Sequence, residues 1–176
     1  MTAQQGSVRV YQHDQTVTLQ VEGQATMQRS PAMRQFAEQC FTGGMTALSV
    51  DLRHCTHMDS TFLGTLLFLK RLVERREEGT FALISPSPRC CQLLQQMGLE
   101  KIFPVVDQEE LPPSVWRELP SGPVDKDKMV FKRNVVQAHQ ELGRLEGPAG
   151  ETFRELADQL AQELASEKPE RQQDKD

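Results

Sequence analysis

Short apolar segments alternate with segments of helical spacing through most of the chain, and this alternation limits the possible folds more than any other feature. Residues 48–52, 81–84 and 102–106 have the composition of buried strands. Because parallel strands cannot be joined by a tight turn, each helix between them has to cross over the sheet. The pattern predicts an α/β fold with a mixed sheet of four or five strands and helices packed on it.

A hairpin and a helix are predicted ahead of these strands. Apolar residues alternate with polar ones on both sides of a turn at residues 13–15, which indicates two half-buried antiparallel strands. Ser30 and Pro31 then provide a cap and a first-turn proline, and we expect a helix from there to Gly43. The alternating apolar residues of the hairpin are Val8, Val10, Val17, Leu19 and Val21.

The segment HMDSTFLGTLLFLK, residues 57–70, combines two opposite tendencies. Its leucines require burial, whereas Asp59, Ser60 and Thr61 are typical of a helix start in contact with water. We therefore predict that a buried helix begins here at the molecular surface. From these residues alone, a capping role is the simplest interpretation of the acid and the two hydroxyls.

Composition excludes several classes of function. The chain has 176 residues, a net charge of −5 and 38% hydrophobic residues, which describes a mildly acidic protein without a general attraction to nucleic acid or anionic lipid. Its longest apolar run, residues 62–69, is too short to span a bilayer, and the first residues do not resemble a signal peptide. We expect a cytoplasmic protein with no membrane insertion. The four cysteines lie among hydrophobic residues and are expected to be free thiols.

The composition changes after residue 107. Prolines, glycines and acidic residues make the stretch from Gln108 too broken for regular structure, which indicates a linker. Two amphipathic helical stripes follow, separated by the sequence GPAG at residues 147–150, and they predict a helical hairpin. Packing on the preceding domain is the simplest way to bury these stripes, although a partner or a second copy of the chain would also cover them. The last residues are predicted to be disordered.

Several motifs occur in the order found in one known family. They are DL at residues 51–52, HMDSTFLG at 57–64, FALIS at 81–85 and LLQQMGL at 93–99. In this arrangement the chain resembles the STAS domain proteins of the anti-sigma factor antagonist family. The resemblance spans roughly residues 7–107 and implies a STAS domain at residues 1–107. It does not cover the rest of the chain, where composition and periodicity predict a linker at 108–128, a helical hairpin at 129–165 and a disordered tail at 166–176.

The resemblance also implies a site of phosphorylation. In that family the serine after the aspartate is phosphorylated by a partner anti-sigma factor that is a serine kinase, and Ser60 occupies this position. A phosphatase that removes the phosphate is implied as a further partner. The neighbouring residues are then expected to contact the partner. The complete predicted partner-binding set is Thr26, Asp59, Ser60, Thr61, Phe62 and Gly64.

Two positions depart from the family pattern. Phe62 stands where the best-known members have a glycine, and residues 23–26 lack the acid that those members carry in the loop after the second strand. A phosphate on Ser60 would still be tolerated, because it would add about −1.5 to −2 charges at a helix N-terminus. It would repel a partner that docks an apolar or acidic surface there.

The sequence contains few residues that could form a metal, redox or catalytic site. His54, Cys55 and His57 could suggest a metal site, but neighbouring residues of an extended segment point to opposite faces and no second ligand pair is near. The pair Cys90-Cys91 is assigned no redox role. Gly-rich phosphate loops, nucleophile elbows and metal motifs are missing from the sequence, and Ser60 has no general base close in sequence. The sequence therefore predicts neither an enzyme nor a cofactor.

Three functional hypotheses remain from the sequence. In the first, the unphosphorylated protein captures an anti-sigma factor and phosphorylation of Ser60 ends the capture, which regulates bacterial transcription. In the second, the domain is a constitutive structural subunit of a transport ATPase or a signalling scaffold. In the third, it senses a nucleotide or an apolar ligand. The residues do not specify the oligomeric state.

Overall fold

The longest strand, β2, organises the sheet. This computed structural model describes residues 6–119 and 127–167. β2 pairs antiparallel with β1 through a two-residue turn, since His13 lies opposite Thr16. The first half of β2 pairs in parallel with β3 and its second half with β4, and the register of the pairing with β4 shifts between Gly23 and Gln24. The elements are β1 (Ser7–His13), β2 (Thr16–Ala25), α1 (Ser30–Thr42), β3 (Ala47–Asp51), β4 (Cys55–Met58), α2 (Ser60–Glu74), β5 (Thr80–Ile84), α3 (Pro88–Gln96), β6 (Val105–Val106), β7 (Arg117–Glu118), α4 (Lys128–Leu142) and α5 (Pro148–Ser166).

The sheet has the predicted class but more strands than predicted. Its order is β6-β5-β3-β2-β1-β7, with β4 attached to β2, so it contains seven strands in the described residues. The count of four or five was wrong because β4 is short and half of it faces solvent, which leaves no alternating apolar pattern. The last predicted strand, residues 102–106, is reduced to β6 because Phe103 turns into the core ahead of it.

The stretch after residue 107 contains regular structure. A short 3-10 helix, Pro113–Val115, precedes β7, which pairs antiparallel with β1. Trp116, next to β7, packs on β1: its ring centroid lies 6.1 Å from that of Tyr11, and the residue is 9% exposed. The prediction that this stretch is too broken for regular structure is therefore wrong for these residues. One tryptophan and edge-strand pairing hold it on the sheet without a hydrophobic run.

Helix α2 is the central helix of the fold. The sheet strands β3 and β5 lie on one side of it, and α1 packs beside it. Most of its first ten residues are buried whichever way they point, which is typical of a helix that is covered on several sides. The largest side chains without solvent exposure include Phe41, Phe62, Leu19, Met33, Leu48, Leu63, Leu66 and Leu83.

The two C-terminal helices form the predicted hairpin and pack on the preceding domain. Helix α4 lies along α2, and α5 lies against α4. Leu142 of α4 has no exposed surface and belongs to the same hydrophobic core as the sheet. Gly147 starts α5 with a φ of 88°, a left-handed conformation that glycine adopts without strain. The expectation that the apolar stripes are covered by the parent domain is confirmed for α4.

Some sequence predictions fall partly outside the structure. The predicted linker includes residues 120–126 and the predicted disordered tail includes residues 168–176, and both of these ranges lie outside the described residues. Ser166 ends α5. Within residues 6–119 and 127–167, no helix combines the length and the apolar character needed to cross a bilayer.

Candidate functional site

Asp59 joins the start of α2 to the loop after β2. It is the N-cap residue of α2, and its Oδ1 accepts a hydrogen bond of 2.8 Å from the backbone N–H of Phe62. Its Oδ2 accepts a second one, also 2.8 Å, from the backbone N–H of Met27. The Asp59 N–H in turn donates to the carbonyl oxygen of Ala25. The predicted capping role is therefore present, and the same carboxylate also fixes a neighbouring loop.

Substitution of Asp59 tests this double role. Asp59→Asn keeps an acceptor for only one of the two N–H groups, because the other side-chain atom becomes an NH₂ donor. Asp59→Ala removes both acceptors, and loss of a cap of this kind typically costs about 1–2 kcal/mol. We expect urea unfolding, followed by the fluorescence of the single Trp116, to rank stability as wild type, then Asn, then Ala. Equal stabilities of the Asn variant and the wild type would contradict the second hydrogen bond.

Ser60 is the first residue of α2 and contacts the C-terminal hairpin. Its Oγ lies 3.1 Å from Nε2 of His139 in α4. Nδ1 of the same ring lies 2.8 Å from the carbonyl oxygen of Val135, which can only accept, so Nδ1 carries the proton in the neutral ring. Nε2 is then an acceptor, and the Ser60 hydroxyl donates to it. His139 is 5% exposed, so this hydrogen bond lies under the hairpin.

The start of α2 was predicted to lie at the molecular surface, but α4 covers part of it. Ser60 is half-buried rather than exposed, because α4 lies over the start of α2. The sequence showed no general base near Ser60, yet the fold brings His139 to it from 79 positions along the chain. The pair has the geometry of a hydroxyl and the base that accepts its proton.

Gly64 lets α4 approach α2 closely. A methyl group on Gly64 would lie 2.7 Å from the Cα of Ala138 and closer still to its carbonyl carbon and oxygen. Ala138 itself has no exposed surface. Backbone atoms cannot move aside as a flexible side chain can, so a glycine is required at this position for the observed packing. Gly64 was predicted as a partner contact, and in this conformation its partner is α4 of the same chain.

Charged groups lie beside this contact, around Glu141, two residues after His139 in α4. A carboxylate oxygen of Glu141 in α4 lies 2.6 Å from a guanidinium nitrogen of Arg71 in α2, and its second oxygen accepts a hydrogen bond of 3.2 Å from Arg144. Arg34 of α1 lies nearby, stacked over the Phe68 ring at 3.7 Å. Burial lowers the pKa of the Arg34 guanidinium, and the charges of Glu38 and Glu141 act against this. Hairpin, α1 and α2 thus meet around one half-covered charge cluster.

The remaining predicted contact residues are divided between the core and a cavity. Phe62 is fully buried and Thr61 is 4% exposed, so neither can touch a partner in this conformation. Both side chains were assigned to a surface because they adjoin Ser60, but helix geometry turns them towards the sheet. Thr26 is half-buried and lines a cavity of about 470 Å³ together with Asp59 and Phe131. This cavity opens beside the start of α2.

His139 is the residue that sequence reasoning missed. It lies on the apolar stripe of α4, four residues after Val135 and three before Leu142. A histidine in a stripe that is otherwise apolar, on a helix that must be covered, was the available signal. Which group it would meet could not be predicted, because the docking of α4 on α2 depends on tertiary packing.

The metal alternative has no support in the described residues. Nε2 of His54 lies 2.6 Å from a carboxylate oxygen of Glu110, and this hydrogen bond lowers the pKa of Glu110. The thiol of Cys55 donates instead to the carbonyl oxygen of His57. Among residues 6–119 and 127–167, no three histidine, cysteine or acidic side chains are grouped so that they could hold a metal ion.

Similar proteins agree with this fold. The chain aligns over 59% of its length and 90% of the other with the unphosphorylated anti-sigma factor antagonist SpoIIAA, at 22% identity and a TM-score of 0.53. The phosphorylated form of the Bacillus cell fate determinant SpoIIAA aligns with 59% of this chain and 93% of its own, at 23% identity and a TM-score of 0.50. An anti-sigma factor antagonist from Mycobacterium paratuberculosis matches over 57% and 84%, at 24% identity and a TM-score of 0.50. At these identities the likeness establishes the fold alone.

The family itself is established by sequence. No curated protein matches this chain. The family model described as "Mlab, STAS domain" matches residues 8–107, which is more than half of the chain and ends where the resemblance noted above ends. α4 and α5 lie beyond the matched range. The resemblance is thereby confirmed, and the chain belongs to the STAS domain family.

Proposed function

We propose that this protein is a non-catalytic regulator of the anti-sigma factor antagonist kind, which binds a partner at the start of α2 and is switched by phosphorylation of Ser60. The proposed partner is an anti-sigma factor that is also a serine kinase, and a phosphatase would restore the hydroxyl. In the modification, the Ser60 oxygen bonds to the γ-phosphorus of ATP while ADP leaves and the hydroxyl proton is released. Two of the similar solved structures are of one antagonist in unphosphorylated and phosphorylated forms.

The observation that carries this proposal is the difference between two neighbouring hydroxyls. Thr61 is 4% exposed and turned into the core, whereas Ser60 is half-buried at the edge of the interface with α4. A kinase can therefore reach Ser60 by displacing the hairpin, but it could reach Thr61 only by opening the core. The positive end of the α2 dipole favours a phosphate there, although the carboxylate of the N-cap Asp59 already occupies the Phe62 N–H and acts against a second negative charge.

Mass spectrometry of the protein isolated from its own cells tests the proposal. Trypsin cleaves after Arg53 and after Lys70, so one peptide, residues 54–70, carries Ser60, Thr61, Thr56 and Thr65. Fragmentation has to assign the phosphate among these four hydroxyls. We expect phosphate on Ser60 alone, and none on this peptide from a Ser60→Ala strain. The unmodified peptide under all growth conditions, or a phosphate on Thr56 instead, would count against the proposal.

A second candidate is a constitutive subunit of a transport ATPase or a signalling scaffold. The observation that favours it is the hydrogen bond between Ser60 and His139, since a hydroxyl engaged by its own chain is not freely presented to a kinase. In this case the STAS domain would be a structural partner and Ser60 only a packing residue. Co-purification with an ATPase subunit, unchanged in the Ser60→Ala variant, would support this candidate over the first.

A further inference from the structure

The C-terminal hairpin covers the surface that the proposed modification would change. Helix α4 crosses the start of α2, so that His139 receives the Ser60 hydroxyl and Ala138 lies on Gly64. We propose that the hairpin α4–α5 is a lid that is closed while Ser60 is unmodified and is released when Ser60 is phosphorylated. This inference rests on the proposed function.

The chemistry of the contact supports release. The closed lid uses Ser60 as a donor, because Nδ1 of His139 already donates to Val135 and leaves Nε2 as the acceptor. A phosphate ester at Ser60 has no hydroxyl proton to donate at this position. With a neutral His139 ring, acceptor would then face acceptor at a buried site, and a buried acceptor without a donor is unfavourable. Phosphorylation therefore removes one of the interactions that hold the C-terminal turn of α4 on α2.

The packing of the interface supports release as well. The phosphorus atom and its three oxygens would need the space that the His139 ring occupies, since only 3.1 Å separates Oγ from Nε2. Helix α4 would have to move away from α2 to make room, which breaks the close contact between Ala138 and Gly64. If the ester turns towards solvent instead, His139 still loses its donor. Both arrangements weaken the docking of α4.

The ion pair between Glu141 and Arg71 does not involve Ser60, but it lies close to the Ser60 contact, because Glu141 follows His139 by only two residues in α4. This ion pair still holds α4 when the Ser60 hydrogen bond is lost, so release loosens the docking of the hairpin and does not detach it completely. The surface that opens includes the start of α2 around Ser60 and Gly64.

Hydrogen exchange on the full-length chain tests the lid. Phosphoserine is introduced at position 60 during translation, and amide exchange of α4, residues 128–142, is compared with that of the unmodified protein. We expect exchange in α4 to be faster by about tenfold or more, which is within the range typical of a functional coupling. Helix α3, residues 88–96, which packs on β4, is the internal reference, and its exchange should not change. Ser60→Ala, which removes the donor without adding bulk, should have a smaller effect.

A pair of equal-sized substitutions separates charge from volume. Ser60→Glu and Ser60→Gln add similar bulk, but only the first adds a negative charge. Faster α4 exchange in the phosphoserine protein, with either or both of these variants behaving likewise, supports the lid. Unchanged or slower α4 exchange in the phosphoserine protein overturns it, since His139 would then hold the phosphate in place. Because the phosphoserine is introduced during synthesis, the exchange experiment tests the lid whether or not Ser60 is phosphorylated in cells. The mass spectrometry tests phosphorylation in cells whether or not the lid opens.

Discussion

Replacing Gly64 with alanine is expected to detach the helical hairpin from α2 while the sheet and its other helices stay folded. The added methyl group would meet the backbone of Ala138 at 2.7 Å or less, and backbone atoms cannot rearrange as a side chain can. Overpacking of this kind typically costs about 1–3 kcal/mol. Inside α2, by contrast, alanine is favoured over glycine by about 1 kcal/mol. The substitution therefore weakens the interface with α4 specifically.

Hydrogen exchange and unfolding together distinguish these two effects. We expect faster amide exchange throughout α4, residues 128–142, and unchanged exchange in α3, which packs on β4. Gly43→Ala is the matched control, because a methyl group there would have no neighbour closer than 3.4 Å and the backbone φ is −76°. Adding Ala138→Gly to Gly64→Ala should not restore the docking, since the atoms in the way belong to the backbone. An undisturbed α4 in Gly64→Ala would show that the two helices are not packed this closely.

The sequence predicted the α/β class and the order of most elements, because their patterns are local. Valines and leucines that alternate in β1 and β2, and the proline that begins α1, report on structure within a few residues. Strands β4 and β7 were missed for the opposite reason. Their pairing with β2 and β1 is decided by neighbours far along the chain, and their own residues carry little apolar pattern.

The same distinction between local and long-range contacts applies to the candidate site. Asp59 as the cap of α2 could be predicted, since capping depends on residues three positions apart. The contact between Ser60 and His139 could not, because nothing in either local sequence specifies how α4 lies on α2. Even so, the apolar residues on every side of α2, with a glycine among them, were a sign that a second layer would cover this helix.

Packing also explains why residue 62 is a phenylalanine here and not the glycine of the family pattern. The family resemblance implies a glycine at this position, and Phe62 was predicted to contact the partner. Its side chain has instead no exposed area and belongs to the main core. Only its backbone N–H takes part in the site, as the donor to Asp59. The aromatic ring therefore changes what lies under the start of α2 and leaves the outward-facing groups in place.

Phe62→Ala is accordingly expected to be among the most destabilising single changes in the chain. Truncation of a fully buried phenylalanine to alanine typically costs about 3–5 kcal/mol, the sum of lost burial and the cavity that remains. Proteins of this size are often stable by only about 5–15 kcal/mol, so much of the margin would be lost. Urea unfolding followed through Trp116, which lies on the sheet at 9% exposure, measures the difference.

Phe36→Ala provides the control for aromatic truncation. Phe36 lies in α1 and packs against the same core but is only partly buried, so its removal leaves less of a cavity and should cost less. Because the cap at Asp59 uses the backbone of Phe62, that hydrogen bond should survive in Phe62→Ala, and Met27 should keep its amide protection in the native state. A small loss of stability, similar to that of Phe36→Ala, would mean that residue 62 contributes to a surface rather than to the core.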